Sequence, residues 1–230
     1  MRRFILLSAL LVAASASAQE YEEPLAPLNG VGRITVQGGW RLTTNNTFYD
    51  SFYSLPAHQG MARAPVSPGG PFLAGSFGYS VSELFELGID VFATAEQLRL
   101  TGAPTLTNIT YGALIGLRFQ TLWDILTPEG VVPFVGLHTG PTLLYSLAKD
   151  VGNREVVTQA WVGSVGATFR LSSRWGITAE YRLAFARGQS VFNTRPEYKN
   201  LASFNGGGNW FALGVTYMLA PEPSRPFSPL

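Results

Sequence analysis

Apolar and polar residues alternate along most of the chain in segments of about ten residues. That length suits a tilted β-strand that crosses the hydrocarbon layer of a membrane. The clearest segment carries an apolar residue at every second position: Ile177, Ala179, Tyr181, Leu183 and Phe185. The positions between them include Thr178, Glu180 and Arg182. The pattern therefore predicts strands with one face toward lipid and the other toward an interior.

The chain contains about eight such segments, joined by links of alternating length. The segments lie near 33–43, 71–81, 85–94, 109–120, 131–145, 161–171, 177–186 and 208–219. The short links are 82–84, 121–130 and 172–175, and the long ones are 45–69, 96–106, 147–155 and 189–205. Short periplasmic turns and longer extracellular loops are typical of bacterial outer-membrane barrels, and an even strand count places both termini in the periplasm.

Composition favours a membrane-embedded barrel over a soluble domain or a helical membrane protein. Charged residues make up 13% of the 230 residues, and the mean hydropathy is +0.14. Beyond the first twenty residues no apolar run of about 18 or more exists, so strands must do the spanning. Strands in lipid must close on themselves, because an open edge leaves backbone groups unpaired. The expected fold is all-β: one transmembrane up-and-down antiparallel β-barrel.

The first residues have the features of a secretory signal peptide. Arg2 and Arg3 precede an apolar core at 4–14, and Ala16-Ser17-Ala18 forms a cleavage site. The expected division is a signal peptide (1–18), a periplasmic N-terminal segment (19–30), the barrel (31–219) and a proline-rich periplasmic tail (220–230). Removing two arginines from 16 basic residues leaves 14 against 15 acidic ones, a charge of −1. Nucleic acid is therefore not an expected partner.

Charge distinguishes a membrane barrel from a soluble, lipocalin-like one, whose apolar residues would face inward. Eight charged residues occupy strand positions that alternate with the apolar ones and so face away from lipid: Arg33, Arg41, Glu86, Asp90, Arg118, Arg170, Glu180 and Arg182. They are expected to form a network of paired charges that fills a narrow lumen. Hairpin geometry places Glu86 opposite Arg118 and Glu180 diagonally across from Arg170. Five arginines then face three carboxylates, so Asp90 must share partners, and neutral acceptors must serve the excess.

Aromatic residues near strand ends are expected at the membrane interfaces, where outer-membrane barrels carry aromatic girdles. The candidates are Phe85, Phe119, Trp123, Tyr145, Trp161 and Tyr217. A further cluster, Phe48, Tyr49, Phe52 and Tyr53, occupies the first long loop. Rings at i and i+4 suit an adhesive surface or a short interfacial helix. The favoured interpretation is that they cover the barrel mouth or extend the strands.

Residues 31–219 resemble the eight-stranded OmpA/OmpX-like outer-membrane barrels. The last segment, 208–219, is similar to the closing strand by which that family is recognised by the barrel-assembly machinery. Gly214 and Tyr217 fit its signal, whereas Leu213 and Leu219 stand where a polar and an aromatic residue are usual. The resemblance implies the barrel fold, insertion by that machinery and contact with outer-membrane lipid and lipopolysaccharide.

The candidate chemistry is sparse. The two histidines, His58 and His138, are eighty residues apart and offer no ligand spacing for a metal. Lipid A deacylases carry a serine two residues after the histidine, where this chain has Gly140. Cysteine is absent, which excludes thiolate ligands and cysteine nucleophiles. We expect no catalytic residues, no metal and no cofactor.

Three functions remain, ranked by the width of the lumen. A structural or surface-interaction role comes first, with an extracellular ligand bound through loops 45–69 and 189–205. A passive pathway for small, including hydrophobic, molecules comes second, because side chains fill the interior of an eight-stranded barrel. An enzyme that modifies lipid A comes third.

Overall fold

A computed structural model of the protein describes residues 27–219, and the expected signal peptide and proline-rich tail lie outside these residues. The strands are β1 (Gly32–Leu42), β2 (Gly70–Ser80), β3 (Phe85–Leu98), β4 (Leu106–Gln120), β5 (Val131–Ala148), β6 (Gly152–Arg170), β7 (Trp175–Phe185), β8 (Arg187–Gly188), β9 (Phe204–Asn205) and β10 (Gly208–Leu219). Eight of them close an antiparallel barrel in the order β1-β10-β7-β6-β5-β4-β3-β2. The predicted fold class is therefore confirmed.

Alternation along the strands separates an apolar outer surface from a polar interior. On β1, for example, Val36 is 59% exposed on the outer wall, whereas Gln37 is 1% exposed inside. Closure depends on the pairing of β1 with β10, whose register runs from Gly32 opposite Leu219 to Leu42 opposite Asn209. Because β1 pairs with β2 on its other side, this pairing leaves no free edge at the seam.

The links alternate as predicted, although two of the long ones are shorter than expected. Strand β3 continues to Leu98, and β5 and β6 are joined by residues 149–151 alone. The predicted loops 96–106 and 147–155 were therefore wrong in length. Their residues remain in the cross-strand ladder, as in the pairing of Tyr145 with Glu155. The strands thus extend the barrel wall at the end that bears the long loops, here called the extracellular end.

The two remaining long links fold over the extracellular end. Helix α1 (Asn46–Tyr53) and a 3-10 turn (Pro56–His58) form the first link. The second contains 3-10 turns at Val191–Thr194 and Pro196–Tyr198, flanked by the paired strands β8 and β9. Together these two links form what we call the lid. Within 27–219 no helix is long and apolar enough to cross a membrane.

Candidate functional site

The centre of the barrel interior is a carboxylate, that of Glu180 on β7. It accepts hydrogen bonds from Arg182 at 2.9 Å and from the Gln37 side chain at 2.8 Å. Arg118 of β4 reaches it from the far wall at 3.3 Å. Glu180 and its partners are at most 4% exposed. Pairing across the lumen brings together strands that are not neighbours in the sheet.

Two further carboxylates extend this centre into a continuous network. Glu86 accepts two hydrogen bonds from Arg33, at 2.9 and 2.6 Å, and lies 3.8 Å from Arg118. Asp90 pairs with Arg182 at 2.7 Å. The resulting chain of contacts is Arg33, Glu86, Arg118, Glu180, Arg182 and Asp90. Three arginines thus face three carboxylates, and this buried set, the central network, is neutral.

Glycines on the lumen side make room for the central network. A Cβ at Gly78 would collide with the Glu86 carboxylate, and one at Gly116 would overlap the His138 ring. Arg118 also lies over the Phe134 ring, 4.3 Å from its centroid, which favours the cation while it is shielded from water. The sequence therefore specifies both the charges and the space that they occupy.

The predicted pairing of Glu180 with Arg170 is wrong. In the register between β6 and β7, Glu180 lies opposite Gly166, whereas Arg170 lies opposite Gly176 at the periplasmic end. Arg170 is 3.7 Å from Glu129, in the link between β4 and β5. The predicted pairing of Glu86 with Arg118 fits the register, but Arg33 is the closer partner.

The excess of arginines expected from the sequence also disappears. Arg41 pairs at 2.6 Å with Glu96, a residue that the predicted loop 96–106 had excluded from the lumen. Glu129 supplies the partner of Arg170. Glu96 continues the parity of Glu86 and Asp90, so a longer β3 would have identified it. Each of the five predicted lumen arginines therefore has a carboxylate within 4 Å.

Above the central network the lumen is filled by an apolar layer around Trp210. The rings of Phe72 and Phe92 each lie 5.0 Å from the Trp210 ring, and Trp210 is 1% exposed. Leu114 and small residues such as Ala184 complete the layer. This apolar cluster fills part of the lumen cross-section between the central network and the lid.

Arg41 and Glu96 join the barrel wall to the lid. Besides its ion pair, Arg41 donates a hydrogen bond to the carbonyl of Gly206 at 2.6 Å. The Asn45 side chain donates to Glu96 at 3.1 Å and accepts from the Asn205 backbone N–H at 2.7 Å. Both links that form the lid are therefore fastened to one buried ion pair.

The aromatic cluster of the first long link forms the core of the lid. Phe48, Tyr49 and Phe52 on α1 are fully buried. They pack against apolar residues of the strand ends and the second link: Leu98, Leu100, Leu106, Leu144, Val191, Phe192, Leu201 and Phe204. Burial raises the pKa of the Tyr49 phenol, which accepts a hydrogen bond from the Ser67 backbone N–H. The rings cover the barrel mouth, as the favoured interpretation expected, and are not an exposed adhesive surface.

Five of the six candidate interface aromatics face outward from the barrel strands, and the sixth, Trp123, lies in a link. Phe85 and Phe119 pack near the periplasmic end with their rings tilted by 54° and their centroids 4.5 Å apart, and the ring centroids of Tyr217 and Trp175 are 4.8 Å apart. Trp123 is 51% exposed in the link between β4 and β5. Tyr145 and Trp161 lie on the outward parity of β5 and β6, toward the extracellular end. Trp40 and Phe211, directly opposite each other on β1 and β10, were not predicted but join the outer group.

Neither histidine forms a constellation suited to catalysis. His138 is 3% exposed and lies inside the barrel beside the lumen face of Gly116. His58 belongs to the lid, where its ring stacks on Phe52 at 4.2 Å and its Nε2 lies 3.1 Å from the Tyr198 hydroxyl. Among residues 27–219 no group of three His, Cys, Asp or Glu side chains could hold a metal ion.

No protein-family model and no curated protein sequence matches this chain. Solved structures do match. The outer membrane protein OprG from Pseudomonas aeruginosa is 12% identical, with 84% of this chain and 98% of that chain covered and a TM-score of 0.50. Ail, the attachment invasion locus protein of Yersinia pestis, is 11% identical, with 83% and 99% covered and a TM-score of 0.48. The N-terminal β-barrel domain of Pseudomonas aeruginosa OprF is 11% identical, with 83% and 98% covered and a TM-score of 0.44.

Identity at this level shows the fold alone, and the fold agrees with the resemblance seen in the strand pattern. The closed antiparallel barrel matches that of OprG, for which the TM-score is 0.50. The chain therefore has the fold of the small eight-stranded, OmpA/OmpX-like bacterial outer-membrane β-barrels.

Proposed function

We propose that the protein is a non-enzymatic outer-membrane barrel whose sealed interior is a rigid support for the extracellular lid, with a structural or surface-interaction role. The observation that carries this proposal is the filling of the lumen. The central network, the Trp210 layer and the lid core succeed one another along the barrel. A cavity at the periplasmic end, lined by Leu28, Arg33 and Met218, has a volume of about 20 Å³, close to that of a single water.

The attachment of the lid supports a role at the cell surface. Its two links are held by the buried Arg41–Glu96 ion pair and by a shared aromatic core. A surface that must bind a partner benefits from such preorganisation, because little conformational entropy is lost on binding. The proposed binding surface is the solvent-exposed side of links 45–69 and 189–205, and the partner would be an extracellular ligand.

Single-channel recording tests the sealed lumen. The full-length mature protein, reconstituted in planar bilayers beside a wide-pore porin, should show negligible conductance while the porin conducts. A heat-modifiable gel shift of the same preparation would establish that the barrel is folded. Steady, large current steps from the folded protein would contradict the proposal and favour passive transport instead.

A lid variant tests the surface role. Replacing 45–69 by a two-residue Asn-Gly turn should leave a folded barrel in the outer membrane but remove a cell-surface phenotype, such as adhesion to a solid support, that depends on the protein. The matched control replaces the periplasmic link 82–84 by the same turn. Equal phenotypes for the lid variant and the wild type would count against a surface role.

A further inference from the structure

The outer wall carries a groove beside the extracellular part of β2. Pairing between β2 and β3 ends at Phe72 opposite Thr94, whereas β3 and β4 stay paired up to Leu98 opposite Leu106. Pro71 has no N–H to donate, and Gly70 is so close to the Ala95 carbonyl of β3 that a Cβ would collide with it. The result is a groove of about 520 Å³ between the start of β2 and the end of β3.

The groove has an apolar side and a cationic rim. Trp40, which is 46% exposed, and prolines that include Pro71 form the apolar side. Arg99 lies at the rim, is exposed, and has no ion pair with any carboxylate of residues 27–219. Glu96 also borders the groove, but Arg41 neutralises it at 2.6 Å. An anionic group is therefore attracted to the rim and not repelled by the floor.

The groove lies at the height where the outer leaflet of the membrane meets the extracellular water. Trp40 is eight residues beyond Gly32, where β1 begins. That is about 26 Å along the strand, or about 20 Å along the membrane normal for a strand tilted by about 40°. The apolar band of such barrels is about 25 Å tall. The Trp40 ring then contacts the outer leaflet near its headgroups, where the phosphates of the lipid lie.

We propose that this groove binds the phosphorylated headgroup of an outer-leaflet lipid, with the phosphate on Arg99 and the adjoining apolar part against Trp40 and Pro71. The proposal rests on the proposed outer-membrane function. Arg99 can donate two parallel hydrogen bonds to phosphate oxygens. On the lumen side the groove is bordered by Glu96, which the buried Arg41 holds in an ion pair.

Native mass spectrometry of the detergent-purified mature protein tests this assignment with bis-phosphorylated lipid A as the probe. The wild type should retain one lipid A molecule. Arg99→Gln should weaken binding about tenfold, as expected for the loss of a charge-assisted contact. The matched control, Arg187→Gln, removes an exposed arginine of β8 that does not line the groove, and it should bind like the wild type.

A second pair of variants tests the shape of the groove. Ala95 lines it, whereas Ala93 lies two residues away on the same outward face of β3 and does not. Ala95→Leu should abolish retention, and Ala93→Leu should leave it unchanged. A heat-modifiable gel shift shows whether each variant folds. If Ala95→Leu does not fold, Arg99→Gln, which changes an exposed residue, provides an independent test.

The remaining arms separate the competing ligands. Dephosphorylated lipid A should bind at least tenfold more weakly, and millimolar inorganic phosphate should not displace bound lipid A. Equal binding of the dephosphorylated lipid, displacement by phosphate alone, or equal retention by Arg99→Gln would overturn the proposal. Because conductance is measured separately, a sealed barrel that retains no lipid A would refute this site alone and leave the proposed function standing.

Discussion

Replacing Glu180 by alanine tests whether paired charges hold the lumen closed. The substitution removes the acceptor of three contacts, to Arg118 at 3.3 Å, Arg182 at 2.9 Å and Gln37 at 2.8 Å. Asp90 still neutralises Arg182, but Arg118 keeps only Glu86, at 3.8 Å and shared with Arg33. The central network then holds three arginines and two carboxylates.

The magnitude follows from burial. Arg118 and Arg182 are at most 3% exposed, so the uncompensated charge cannot be solvated in place. Breaking a buried pair by removing one partner destabilises by about 3 to 5 kcal/mol, whereas exposed pairs contribute about 1 kcal/mol or less. We therefore expect Glu180→Ala to lower the free energy of unfolding by about 3 to 5 kcal/mol. Glu155→Ala, which removes an exposed acidic residue of β6, should lower it by less than about 1 kcal/mol.

Urea titration of the folded barrel in phospholipid vesicles, followed by tryptophan fluorescence, measures these differences. The double variant Glu180→Ala/Arg118→Met separates lost charge balance from lost packing, since it leaves the neutral pairs Arg33–Glu86 and Arg182–Asp90. It should be more stable than Glu180→Ala by at least about 1 kcal/mol. A destabilisation by Glu180→Ala no larger than that of Glu155→Ala would refute the reasoning and indicate a hydrated lumen.

Three further predictions concern the wall, the lid and the topology. Val165→Lys, on the lipid face near the membrane midplane, should lower the free energy of unfolding by about 2 to 4 kcal/mol in the same titration, and a change below about 0.5 kcal/mol would contradict the facing. Phe52→Ala, in the lid core, should destabilise the lid by about 3 to 5 kcal/mol, detected as faster hydrogen exchange in α1, and unchanged exchange would contradict its packing. Protease added to intact cells should cut within 59–69 or 196–203 and not within 121–130, since cleavage in the latter link would invert the topology.

The inward or outward facing of each strand residue could be predicted from the sequence because side chains alternate strictly along a strand. Parity alone placed Glu180, Arg118 and Arg182 inside. Their pairing could not be predicted, because neighbouring-strand geometry says nothing about contacts across the lumen. Arg33 on β1 donates a hydrogen bond to Glu86 on β3, and Arg118 on β4 donates one to Glu180 on β7. Such contacts depend on strand tilt and barrel closure, and the alternation of residues along a strand does not determine either of these.

Errors in strand length explain the residues that were missed. Ending the predicted third strand at about residue 94 removed Glu96 from the lumen and left Arg41 without a predicted partner. The lid core was also beyond prediction, since Phe52 and Phe192 come from links without alternation and meet only once the barrel has brought them together, with centroids 6.2 Å apart. A covering role was nevertheless part of the favoured interpretation of the aromatic cluster Phe48, Tyr49, Phe52 and Tyr53 in the first long loop.

Site-directed spin labelling along β6 tests the central claim, a membrane barrel with an apolar outer wall and an interior filled by side chains. The chain contains no cysteine, so single cysteines introduced from 161 to 171 can be labelled without background. Labels at odd positions, where Trp161 and Val165 face outward, should be accessible to oxygen dissolved in lipid. Labels at even positions, where Val162 and Thr168 face the interior, should be accessible neither to oxygen nor to a water-soluble nickel complex. Accessibility with no alternation, or with the opposite phase, would contradict the account.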